Sequence, residues 1–107
     1  MARPRIDVHR QLESAMTLAG YTPHVYYQPP DSKELTYPCI VYSRDKFNTV
    51  YANDHIYRDM TQYTVTVMDR DPESPLVDIL RNIQYCEMDR ELPVDNVHNF
   101  VFTYYYY

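Results

Sequence analysis

A β-rich run from Tyr37 to Asp69 sets the terms for everything else in this 107-residue chain. Tyr37-Pro38-Cys39-Ile40-Val41-Tyr42-Ser43-Arg44 opens it, and Gln62-Tyr63-Thr64-Val65-Thr66-Val67-Met68 closes it in β-branched alternation, with Ala52-Asn53-Asp54 as the turn between. If the arms run from Cys39 to Val50 and from His55 to Asp69, each spans roughly 40–50 Å at about 3.4 Å per residue. Helices available to a chain of this size reach only roughly 15–25 Å at about 1.5 Å per residue. The tip of the hairpin must therefore overhang. It carries Phe47, Val50, Tyr51, Ile56, Tyr57 and Met60, an aromatic and aliphatic group that is a liability in a monomer unless another subunit covers it. A long loop from Asp45 to Met60 is the plainer alternative, although loops of that length without Gly or Pro are unusual.

The remaining elements are short. Val8, Leu12, Ala15, Met16 and Ala19 form one apolar stripe at helical spacing, and Gly20 follows as a left-handed stop. His24-Val25-Tyr26-Tyr27-Gln28 reads as a strand that Pro29-Pro30 ends. Leu76, Ile79, Leu80 and Ile83 recur at i, i+3, i+4 and i+7, with Ser74 as N-cap and Pro75 at the first helical position; Asp71 with Pro72 is a second register. A polar segment ends at Leu92-Pro93, the chain turns at Asp95-Asn96, and a last strand runs from Val97 to about Tyr105. The polar segment has room for one more short strand.

This order predicts a single α+β domain over residues 1–107, with a hairpin projecting over about 39–69. Two helices cover one face of a mostly antiparallel four-stranded sheet, a two-layer sandwich. Leu12, Met16, Val41, Val65, Val67, Leu76, Ile79, Leu80, Ile83 and Val101 are the expected core.

Composition narrows the function classes. Thirteen Tyr with no Trp and one Gly is an interface signature as much as a strand signature, because Tyr joins a large contact area to a polar tip. Ten basic against fifteen acidic residues leave a net charge of −5, and the cations are scattered, so the concentrated charge that grips phosphates is missing. Cys39 and Cys86 stand apart without a CxxC and read as reduced, structural thiols. No stretch approaches the roughly 20 apolar residues of a membrane span, and no signal-peptide core opens the chain, so synthesis in the cytoplasm without membrane contact is expected.

Chemistry has little to build on. His9, His24, His55 and His98 lack metal-ligand spacing, and a chain with one glycine cannot form a phosphate-cradling loop, so neither a metal nor a cofactor is expected. Asp69, Asp71 and Glu73 could hold a divalent ion beside Asp45 or Asp59, as in a nuclease. Polar turns and a helix N-terminus account for the same acids more simply. Serines lack the strained turn of a nucleophile. A non-enzyme is the expectation.

The N-terminal helix, Tyr37-Pro38-Cys39-Ile40-Val41-Tyr42, the strand from Tyr57 to Asp69 leading into Asp71-Pro72, and the closing Asp95-Asn96-Val97-His98-Asn99-Phe100-Val101-Phe102 together resemble the tail terminator, or tail completion, proteins of long-tailed (siphovirus-type) bacteriophages. The resemblance spans most of the chain and implies a structural virion protein at the head-to-tail joint. Such subunits form a homo-oligomeric ring, usually a hexamer, that ends the tail tube and meets the head connector. Genomic DNA passes through the lumen without specific binding, and assembly takes place in the host cytoplasm. The family offers no catalytic residues to transfer. The terminal Tyr104 to Tyr107 run departs from its pattern; Tyr106 and Tyr107 are expected to outrun the sheet and touch a neighbour or the tube. The alternative is a small ferredoxin-like binding module that uses its sheet face for a peptide, a ligand or single-stranded nucleic acid.

Overall fold

In a computed structural model the chain folds as a five-stranded mixed sheet with two helices. Residues 4–30, 34–52, 55–83, 86–94 and 96–106 are described, with the backbone alone at 4, 45–52, 55–60, 93–94 and 106. In chain order the elements are α1 (Pro4–Leu18), β1 (Val25–Tyr27), β2 (Cys39–Ala52), β3 (His55–Asp69), α2 (Pro75–Arg81), β4 (Cys86–Val94) and β5 (Val97–Tyr106). The strands lie side by side as β1-β2-β3-β5-β4.

The α+β class expected from the sequence holds, but the four-stranded, mostly antiparallel sheet is corrected in two respects. A fifth strand, β4, occupies the segment read as polar. Cys86 and Met88 face the same side as their partners Tyr104 and Phe102, after which a register shift between Met88 and Arg90 breaks the alternation. Glu87, Asp89, Arg90 and Glu91 are exposed, as suits an edge strand with little to bury. The sheet is also mixed, because β1 runs parallel to β2, with Val25, Tyr26 and Tyr27 beside Ile40, Val41 and Tyr42.

Local signals explain the ends of the elements. Gly20 takes φ +84°, and the N–H groups of Gly20 and Tyr21 donate to the carbonyls of Thr17 and Met16, closing α1 as a Schellman turn. Ser74 caps α2, its hydroxyl accepting from the Leu76 N–H at 3.3 Å, and Pro75 opens the helix. Asn96 takes φ 65° between β4 and β5, a conformation its short polar side chain tolerates.

The core lies between the helices and one sheet face. Val8, Leu12, Ala15 and Met16 of α1 and Leu76 and Leu80 of α2 pack against Ile40, Tyr42, Tyr63, Val65, Val67, Phe100 and Phe102. Ile79 and Ile83 join it only at the margin. Val41 is a correction, half-buried beside Thr66 on the opposite face, and Val101 is buried as expected but on that same opposite face, apart from the helices. Strand parity decides this: Ile40 and Tyr42, and Phe100 and Phe102, already hold the inward positions. Among the described residues no helix is long and apolar enough to cross a membrane.

Candidate assembly interface

The hairpin is present along its full length. β2 and β3 pair from Cys39↔Met68 to Ala52↔His55, and Asn53 and Asp54 of the expected turn lie outside the described residues. Its flanks are shorter than its arms. β1 stops at Tyr27, opposite Tyr42, and β5 ends its pairing at Tyr106, opposite Thr61, which itself faces Phe47. Beyond that level, among the described residues, Asn48–Ala52 and His55–Met60 pair only with each other. This is a two-stranded ribbon of about 17–20 Å at about 3.4 Å per residue, at one end of a molecule measuring 48 × 27 × 24 Å.

β1 ends where it does because Gln28 takes φ 41° and two prolines follow. The Gln28 N–H donates to the Tyr42 carbonyl at 2.9 Å, and its side-chain oxygen accepts from the Arg44 N–H at 3.3 Å. A side-chain amide thus supplies the last acceptor on this edge before the ribbon goes on alone.

The root of the ribbon is gripped by tyrosines. Tyr27, Tyr42 and Tyr63 stand in a row across β1, β2 and β3, with ring centroids 5.0 and 6.0 Å apart, and Tyr63 lies opposite Tyr104 of β5. Helix α1 closes over this row. The Tyr42 hydroxyl lies 2.7 Å from His9 Nδ1, the Tyr104 hydroxyl donates to Gln11 Oε1 at 2.5 Å, and the Arg5 guanidinium sits 4.9 Å from the Tyr27 ring centre. Glu13 is 3.7 Å from His9 Nε2. Burial raises the Tyr42 and Tyr63 hydroxyls above the usual phenol range. Several phenols fixed between sheet and helix make a stiff base from which the ribbon leaves the body.

The face of the sheet away from both helices is a second feature. On β2 it presents Val41 and Ser43, on β3 Gln62, Thr64, Thr66 and Met68, and on β5 Asn99, Val101, Thr103 and Tyr105, as their mutual register requires. None carries a formal charge, and all but the buried Val101 are half-buried. Charged residues reach this side at its margins: Glu87 and Arg90 of β4 lie beside Thr103 and Val101, and after the shift at Arg44 the register sets Lys46 of β2 beside Gln62, its side chain lying outside the described residues.

Of the residues expected at an interface, six fall in the ribbon or at its root. Phe47 lies opposite Thr61, Val50 opposite Arg58, Tyr51 opposite Ile56 and Met60 opposite Asn48, while Tyr57 falls at the irregularity between two of these pairs. The side chains of all six lie outside the described residues, as does that of Tyr106. The Tyr106 backbone stays in the sheet beside Thr61, so the strand runs one residue further than expected. Tyr107 is outside the described residues. The uncharged face escaped the sequence reading, although its signal was there in the alternation of Gln62, Thr64 and Thr66 with Tyr63, Val65 and Val67.

Asp69 and Asp71, weighed as metal ligands, serve the chain's turns, while the side chains of Asp45 and Asp59 lie outside the described residues. Asp69 accepts from the Asp71 N–H at 3.0 Å and from the Tyr21 hydroxyl at 3.0 Å, and Asp71 accepts from the Glu73 N–H at 2.9 Å. Among the described residues no three His, Cys, Asp or Glu gather as ligands. No protein-family model matches the chain, and no curated protein matches it significantly.

Proposed function

We propose that this protein is a structural subunit of a long-tailed bacteriophage, a tail terminator that assembles as a ring, of six copies by the family resemblance, between the tail tube and the head connector. The observation that carries the reading is the unsupported ribbon. A two-stranded hairpin alone in water is marginally stable, yet this one extends past every other strand among the described residues, and its sequence carries Phe47, Val50, Tyr51, Ile56, Tyr57 and Met60. A partner that covers it supplies the missing burial. If the ribbon of each copy rests on a different surface of the next, the contact is heterologous, and such contacts close into rings when the rotation permits.

The two kinds of edge support the same reading. β4 is guarded by a register shift, by Pro93 and by the charges from Glu87 to Glu91, the usual defences against edge-to-edge association. The Asn48–Ala52 arm has neither charge nor proline. The segments that carry the family resemblance supply β2, β3 and β5, the strands that build the ribbon and its root. An acidic chain without a cationic groove suits a lumen through which DNA slides in the virion without being held.

Mass measurement of the protein alone and with its tail tube protein tests the proposal. A closed ring in either condition is expected. Phe47→Ser with Tyr51→Ser leaves a folded subunit that forms no ring, since aromatic anchors dominate interface energies. A wild-type protein that stays monomeric in both conditions overturns the reading.

A further inference from the structure

We infer that the neutral centre of the outer sheet face is the seat on which the ribbon of a second copy of this chain lies; the inference rests on the ring reading above. Ser43, Gln62, Thr64, Thr66, Asn99 and Thr103 are neutral, half-buried, and on the side of the sheet that neither helix covers. A sheet face turned to water normally mixes charges of both signs among its outward positions. Depletion of charge is instead the mark of the buried centre of an interface.

The occupant follows from what each copy brings. The ribbon is two strands wide, about 10 Å, and about 17–20 Å long by strand spacing and rise. The neutral face offers three adjacent strands, about 14 Å across, over the seven residues from Gln62 to Met68, about 24 Å by the same spacings. The footprint fits the seat. Ribbon and seat belong to the same sheet but are different surfaces of it, so seating one copy leaves a ribbon free at one end of the pair and a seat free at the other. That is the heterologous geometry a ring requires. Nucleic acid is a poorer occupant, because the cations that register assigns to this side, Lys46 beside Gln62 and Arg90 beside Val101, stand apart at its margins, with Glu87 near the second.

Complementation between two defective variants tests the contact. Thr64→Glu with Thr103→Glu spoils the seat and keeps the ribbon, whereas Phe47→Ser with Tyr51→Ser spoils the ribbon and keeps the seat. Each variant alone should lose the ring. Mixed, they should form a one-to-one heterodimer and nothing larger, because only one good ribbon and one good seat are available per pair. Thr64→Ser with Thr103→Ser should keep the ring, and Thr103→Lys alone reads the same loss if the glutamate pair fails to fold. A folded seat variant that still forms rings, or a mixture without heterodimer, overturns the inference while leaving the ring reading intact. Rings that persist in the seat variant but retain DNA differently would assign the face to the lumen and overturn it as well. A wild-type chain that never forms a ring removes both.

Discussion

Tyr63 is fully buried and its hydroxyl has no hydrogen-bond partner among the described residues, whereas Tyr42, its neighbour in the row, meets His9. A buried polar atom left unpaired costs about 1–3 kcal/mol, while a made hydrogen bond contributes about 0.5–1.5 kcal/mol net. The two tyrosines should therefore answer differently to loss of the oxygen. Tyr63→Phe is expected to leave stability unchanged or raise it by about 1 kcal/mol, and Tyr42→Phe to lower it by about 1 kcal/mol. Denaturant midpoints at constant slope separate them. A clear loss on Tyr63→Phe would mean that the hydroxyl is satisfied in solution.

Among the elements, α2 is short enough to depend on its caps and two side chains. Ser74 and Pro75 start it, the Asn82 N–H donates back to the Ile79 carbonyl at its end, and Leu76 and Leu80 are the residues it buries fully. Seven residues make too short a helix to stand by propensity alone, so packing holds it. Leu80→Ala should cost about 2–5 kcal/mol through the cavity left against the sheet. An unchanged unfolding midpoint would show that α2 contributes nothing to the core. The ribbon is the opposite case, because the ring proposed for this protein would bury it against a neighbouring copy. Its removal from contact is read in assembly, while the α2 change is read in unfolding.

At the scale of the whole molecule, buried acids make the fold sensitive to alkali. Burial pushes the Cys39 and Cys86 thiols up from 9.0 to about 12, helped by the nearby charges of Asp69 and Glu87 respectively. Burial also raises Tyr42 and Tyr63 above 10.0. In the unfolded chain these groups ionise at their ordinary values, so above about pH 9 the unfolded state holds fewer protons than the folded one. Stability should accordingly be level from about pH 7 to 8.5, then fall as pH rises through the window from about 9 to 12, the thiols leading and the phenols following. Urea midpoints between about pH 7 and 11 check this, and Cys39→Ala with Cys86→Ala should flatten the first part of the decline. A midpoint constant to about pH 11 would show that the thiols are not buried in the folded protein.

What the sequence by itself determined is the set of elements whose signals are local. The stripe of α1 with Gly20, the Ser74-Pro75 start of α2, and the alternation of the long hairpin's arms each depend on residues within a few positions of one another, and each is found where its pattern stands. The α+β class follows from their order. Tertiary structure decided which side of each strand is inward. Val41 and Val101 are as apolar as Ile40 and Phe100, and only the placement of the helices assigns them to the outer face. The same holds for β4, whose polar alternation is cut by a register shift and becomes a strand only through pairing with β5, and for β1, whose three residues say nothing of direction until β2 lies beside them. The candidate site divides in the same way. The ribbon's length and apolar content are written in the chain, but its lack of flanking strands depends on where β1 and β5 stop. The neutral part of the outer face exists only because β2, β3 and β5 bring uncharged outward residues onto one surface.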